Sequence, residues 1–63
     1  MEYINTNRTF NFNIAGLSGT ATLFKFNDIY KFVDLEHCIT GGGYYDFFEA
    51  RKMFLRKVKE LAA

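Results

Sequence analysis

Three short stretches of this 63-residue chain hold residue types that do chemistry in other proteins. In "ITGGGYYDFFEARK" (39–52) three glycines run straight into a helix start. Free N–H groups and the positive end of a helix dipole hold phosphate in such an arrangement. The spacing matches neither G-x-G-x-x-G nor G-x-x-x-x-G-K-[ST], and the first turn already carries Asp46 and Glu49, whose charges repel a phosphate. Residues 41–43 therefore read as a turn from sheet to helix, or a mobile stretch, and not as a phosphate loop. The second stretch is His37-Cys38. Neighbours on a strand point to opposite faces, so these two form no nucleophile–base pair by themselves. One His and one Cys also fall short of the four ligands of a closed zinc site. Cys38 is expected in the core and His37 at the surface. In the third, Asp34 and Glu36 share a face of an extended strand and are expected to be solvated, because no pocket is implied around them. No catalytic residue, cofactor or metal is expected, and an enzyme is not the reading these residues favour.

The elements that carry these residues follow from periodicity. "TFNFNI" alternates Phe10, Phe12 and Ile14 with Asn11 and Asn13, the period of a half-buried strand. "TATLFKF" puts Thr22, Phe24 and Phe26 in phase. Pairing Phe12 with Phe24 and Phe10 with Phe26 places four rings on one face, sets Gly16 against Thr20 and leaves Leu17, Ser18 and Gly19 as a three-residue loop with Gly19 left-handed. A third strand runs from about residue 29 to 35 after a turn at Asn27-Asp28. A two-residue loop there aligns Ile29, Lys31 and Val33 with the phenylalanine face, whereas a three-residue loop, the preferred reading, directs Tyr30 and Phe32 to the core and keeps Lys31 out of it. Residues 37–40 either lengthen that strand or form a short fourth one. The fold class expected is α+β: an antiparallel meander of three or four strands (about 9–16, 20–26, 29–35, then 37–40), a glycine turn at 41–43 and one C-terminal helix over about 47–61.

That helix begins at Asp46, with Glu49 three residues on, a D-x-x-E form of the capping box. At about 100° per residue Phe47, Ala50, Phe54, Val58 and Leu61 share the face that covers the sheet. Lys52, Arg56 and Lys59 form a basic stripe opposite, and Glu60 offers Arg56 a partner one turn away. Phe48 and Leu55 flank the core face on one side and Met53 on the other. The apolar positions thus span an arc of roughly 220°, against the ~100° stripe of an ordinary surface helix.

Composition sets the limits. The length suits one small domain spanning residues 1–63 with marginal burial, and 8 Phe with 4 Tyr supply its large side chains. A single cysteine and no charged-then-apolar leader suggest the cytoplasm, and no apolar run approaches the roughly 20 residues of a membrane span. The net charge of +1 conceals an asymmetry, with residues 1–50 acidic and 51–63 basic. The βββα outline resembles the small DNA-binding domains of some integrases and the back half of double-stranded-RNA-binding domains. It has neither family's diagnostic motif, and its sheet is acidic where theirs is basic.

Two functions are weighed. The first is a non-enzymatic interaction protein in which Tyr44, Tyr45, Phe48, Met53 and Leu55 dock a protein partner or a second copy of the chain. A composition rich in Asn, Phe, Ile, Lys and Tyr, as in AT-rich genomes, suits an accessory factor or inhibitor of a phage or mobile element. The second is nucleic-acid binding through Arg51, Lys52, Arg56 and Lys59, largely independent of sequence.

Overall fold

A computed structural model describes residues 2–62. Strands β1 (Ile4–Ile14), β2 (Leu17–Phe26), β3 (Ile29–Asp34) and β4 (Ile39–Thr40) form one antiparallel sheet in the order β1-β2-β3-β4, and helix α1 (Phe47–Ala62) packs on one face of it. The α+β meander with a C-terminal helix is as expected, and the short fourth strand is present. Asp46 caps the helix: its Oδ1 accepts from the N–H of Phe48 at 2.8 Å and of Glu49 at 3.4 Å, as its position before the apolar run predicts.

The first hairpin differs from expectation in register. Ile14 pairs with Leu17, so the loop is the two-residue Ala15-Gly16, both with positive φ (51° and 86°). Such a loop matches the twist of the flanking strands when both central residues are left-handed. Phe12 then faces Gly19 and Phe10 faces Ala21. The side of β2 against the helix is Leu17, Gly19, Ala21 and Leu23, while Phe24 and Phe26 turn to the opposite face. The physical reason is room. A Cβ on Gly19 would lie 2.8 Å from Cζ of Phe12 and would collide with Oδ2 of Asp34, so the core selects small residues where the register by ring size had placed large ones.

The second turn is also two residues long, Phe26 pairing with Ile29. Tyr30 and Phe32 nevertheless face the core, as expected, because β2 is itself turned over and the two parity changes cancel. Phe32, Phe12, Ala21, Leu23 and Ile39 are buried with Ala50, Phe54 and Val58 of the helix. Phe54 sits among Phe10, Phe12 and Phe32 at centroid separations of 5.5–6.3 Å, edge-on to the first two. Such pairs contribute about 0.5–1.5 kcal/mol each beyond their buried area. Leu61, expected on the core face, is 58% exposed, so the last helical turn runs past its cover.

Gly41 explains the glycine run. It is buried, donates to the carbonyl of Phe32 at 3.0 Å, and leaves 3.3 Å between an added Cβ and Cβ of Phe54. None of residues 41–43 has positive φ. Close approach of chain to helix, and not a sharp turn, is what Gly41 supplies. Beyond it, Tyr44 exchanges two backbone hydrogen bonds with Tyr30 (2.6 and 2.9 Å), which pins the start of the helix to β3.

Candidate functional site

The N-terminal end of α1 and the middle of β1 enclose a groove of about 170 Å³ lined by Phe10, Leu23, Phe32, Phe47, Phe48 and flanking polar residues. Its floor is aromatic by construction. Phe32 and Phe47 meet edge-to-face at 5.6 Å, and Phe10 stands on Phe32 at 5.1 Å. Two guanidinium groups bracket that floor. Arg8 lies 5.7 Å from the Phe47 centroid and Arg51 lies 4.8 Å from the Phe10 centroid. Both arginines are exposed, and among the described residues neither forms an ion pair. Stacking on rings at exposed sites is worth about 0.5–1 kcal/mol, and leaves most guanidinium donors facing outward.

Arg8 is placed by a feature the alternation did not reveal. Between Asn5 and Thr9 the strand inserts extra residues, with Asn7 at φ 61°. Asn5 Oδ1 accepts from the N–H of Asn7 at 2.8 Å and Thr6 Oγ1 from that of Arg8 at 3.3 Å, while the Thr6 hydroxyl donates to the carbonyl of Leu23 at 2.7 Å. Local bonds of this kind compete with the ladder and sustain a bulge. The signal was present as the run Asn5-Thr6-Asn7, whose side chains favour such turns.

The expected docking residues divide. Phe48 and Tyr45 are 75% and 78% exposed, and Phe48 forms one wall of the groove. Tyr44 and Leu55 are half-buried and pack on the core. Met53 is half-buried on the opposite flank of the helix. The basic residues divide too: Lys52, Arg56 and Lys59 are exposed, Arg51 leans over Phe10, and Arg56 Nε lies 4.0 Å from Glu60 Oε2.

A second polar cluster sits in the β3–β4 turn, and two expectations fail there. Asp34, read as solvated, is 1% exposed. Its Oδ1 accepts from the N–H of Glu36 at 2.9 Å and of His37 at 3.1 Å, and its Oδ2 from Nδ1–H of His37 at 2.8 Å. Cys38, read as core, is exposed with φ 56°, because the turn folds Asp34 inward and swings the next residues out. Burial pushes the Asp34 carboxyl up, but the bonds from His37, its charge and the Glu36 N–H outweigh this and hold it below its ordinary 3.8. His37 is raised above 6.5 chiefly by its hydrogen bond to Asp34, against partial desolvation. The cluster is a closed knot: among the described residues no hydroxyl or thiol hydrogen-bonds His37, no buried side-chain polar atom lacks a partner, and no group of three metal-ligating side chains is present.

No helix of the described residues is long and apolar enough to cross a membrane. Compared with known proteins, the chain matches no protein family, no curated protein and no solved structure.

Proposed function

We propose that this protein is a cytoplasmic, non-enzymatic interaction module that docks a protein partner, or a second copy of itself, at the N-terminal end of its helix. The observation that carries the proposal is the exposure of Phe48 and Tyr45 beside a ring-floored groove with two arginines at its edges that form no ion pair among the described residues. Aromatic residues and arginine are the side chains enriched at interface centres, where they anchor in pockets. The groove is close to the ~150 Å³ that accommodates a benzene ring and below the ~300–1,000 Å³ of small-molecule sites, so it suits one side chain better than a cofactor. An accessory or inhibitory role, of the kind small phage and mobile-element factors play, is the form that composition favours.

The test is a comparison of baits in lysate of the encoding organism. The native chain should enrich a partner that the Phe48→Ser, Tyr45→Ser variant loses while keeping its circular-dichroism melt. Equal capture by both baits, or a native chain that binds neither another protein nor itself, defeats the reading. Nucleic-acid binding is the second reading, favoured by the exposed Lys52, Lys59 and Arg56. It predicts tight binding to mixed-sequence DNA at low salt, with a log–log salt slope of roughly −3 for three phosphate contacts; binding that shows no salt dependence rejects it.

A further inference from the structure

We infer that the partner seated in the groove is a second copy of this chain, related by a two-fold axis, with Phe48 of each copy lying on the ring floor of the other. The inference rests on the docking reading above and names its occupant. A groove with an aromatic floor and two cationic edges calls for a ring with a carboxylate next to it. This chain displays that chemistry on residues 45–49: Tyr45 and Phe48 are exposed rings, and Asp46 and Glu49 are exposed carboxylates between and beside them. Asp46 spends one oxygen on the helix cap, which leaves Glu49 as the free anion for Arg8 or Arg51 of the other copy. Like-charge crowding does not oppose this, because each side brings both signs.

Symmetry follows from adjacency. Phe48 lines the groove of its own copy, so the donor ring and the receiving floor belong to one patch. A self-complementary patch closes as an isologous pair, whereas features on separate faces generate open chains. Two other exposed apolar–acid pairs among the described residues, Leu35-Glu36 on the β3–β4 turn and Glu60-Leu61 in the last turn of α1, lie outside the groove lining, and would give the open kind. Size sets the strength. A standard interface buries about 800 Å² per partner, close to a fifth of the 4357 Å² that this chain exposes. One groove and two rings cover less, so the dimer is weak and dissociates on dilution.

Sedimentation equilibrium from micromolar to millimolar chain tests this at low and at high salt. The expected result is a reversible monomer–dimer equilibrium whose dissociation constant rises with salt. Phe48→Ser and Arg51→Glu should each raise it by about tenfold or more, the scale on which central rings and buried charge partners act, while Leu35→Ser leaves it unchanged. A monomer throughout, a series of higher oligomers, or a dimer indifferent to Phe48→Ser overturns the inference. A strict monomer whose Phe48 still governs capture of another protein overturns only the choice of occupant and leaves the docking reading standing.

Discussion

The β3–β4 turn and the groove at the start of α1 each gather charged side chains against aromatic ones, and they treat those charges in opposite ways. At the turn, Asp34 is taken out of water and every bond its carboxylate needs is supplied within four residues of chain. At the groove, Arg8 and Arg51 rest on rings and pair with no carboxylate among the described residues, and Phe48 beside them stays largely in solvent. Burying a charge is costly unless it is paired and hydrogen-bonded, so the first arrangement holds the fold together. Cationic groups left unpaired over exposed apolar surface contribute little to folding and are available to something else. The contrast separates a charged cluster closed within the fold from one left open at its surface.

The largest expected effect breaks the turn. A domain of this length has a total stability of about 3–9 kcal/mol. Gly19→Val drives a side chain into Asp34 and Phe12 and should cost about 3–4 kcal/mol, a third or more of that total, read as a much lower melting temperature in circular dichroism. Asp34→Ala removes the acceptor of three hydrogen bonds and should cost about 2–3 kcal/mol, read as a lower urea midpoint.

Titration sharpens the same side. The folded pKa of Asp34 is depressed, so its contribution is present above pH 3.8 and lost as pH falls through the lower folded value. That of His37 is raised, so its contribution is complete below pH 6.5 and lost as pH rises through the higher folded value. Urea midpoints should therefore be highest between these limits and decline on both sides, and His37→Gln should flatten the alkaline decline. An alkaline decline unchanged in that variant would detach His37 from the fold.

A smaller effect of opposite sign is expected at the first hairpin. Ala15 holds φ 51°, which costs an ordinary L-residue roughly 1–2 kcal/mol, and Asn-Gly is the preferred pair for such a loop. Ala15→Asn should raise stability by about 0.5–1 kcal/mol, measured as a higher melting temperature.

This hairpin also shows what sequence could and could not say. The helix was legible to within a residue, because Asp46 marks its start and no glycine or proline interrupts it. The strands were legible as elements, but β2 carries apolar side chains at both parities, Leu17 and Leu23 against Phe24 and Phe26, and ring size suggested the wrong face. What decided the register was space at Gly19 and Ala21, a property of the packed core that periodicity does not encode. The exposed rings Phe48 and Tyr45 were visible as apolar excess, whereas the bulge that places Arg8 left only the local signal of Asn5-Thr6-Asn7 and the Asp34 knot depends on how a turn folds in three dimensions.

The claim that the groove rim serves recognition and not folding is tested most directly by urea unfolding of a Tyr45→Ser, Phe48→Ser chain beside the native one. The two substitutions remove one edge-to-face contact, of Phe48 on half-buried Phe47 at 5.3 Å, which on so exposed a ring sits at the low end of the about 0.5–1.5 kcal/mol such pairs contribute; a loss of about 0.5 kcal/mol is the difference expected here. A loss of about 2 kcal/mol or more, the scale of a buried ring, would mean that these two rings belong to the core and would contradict the account.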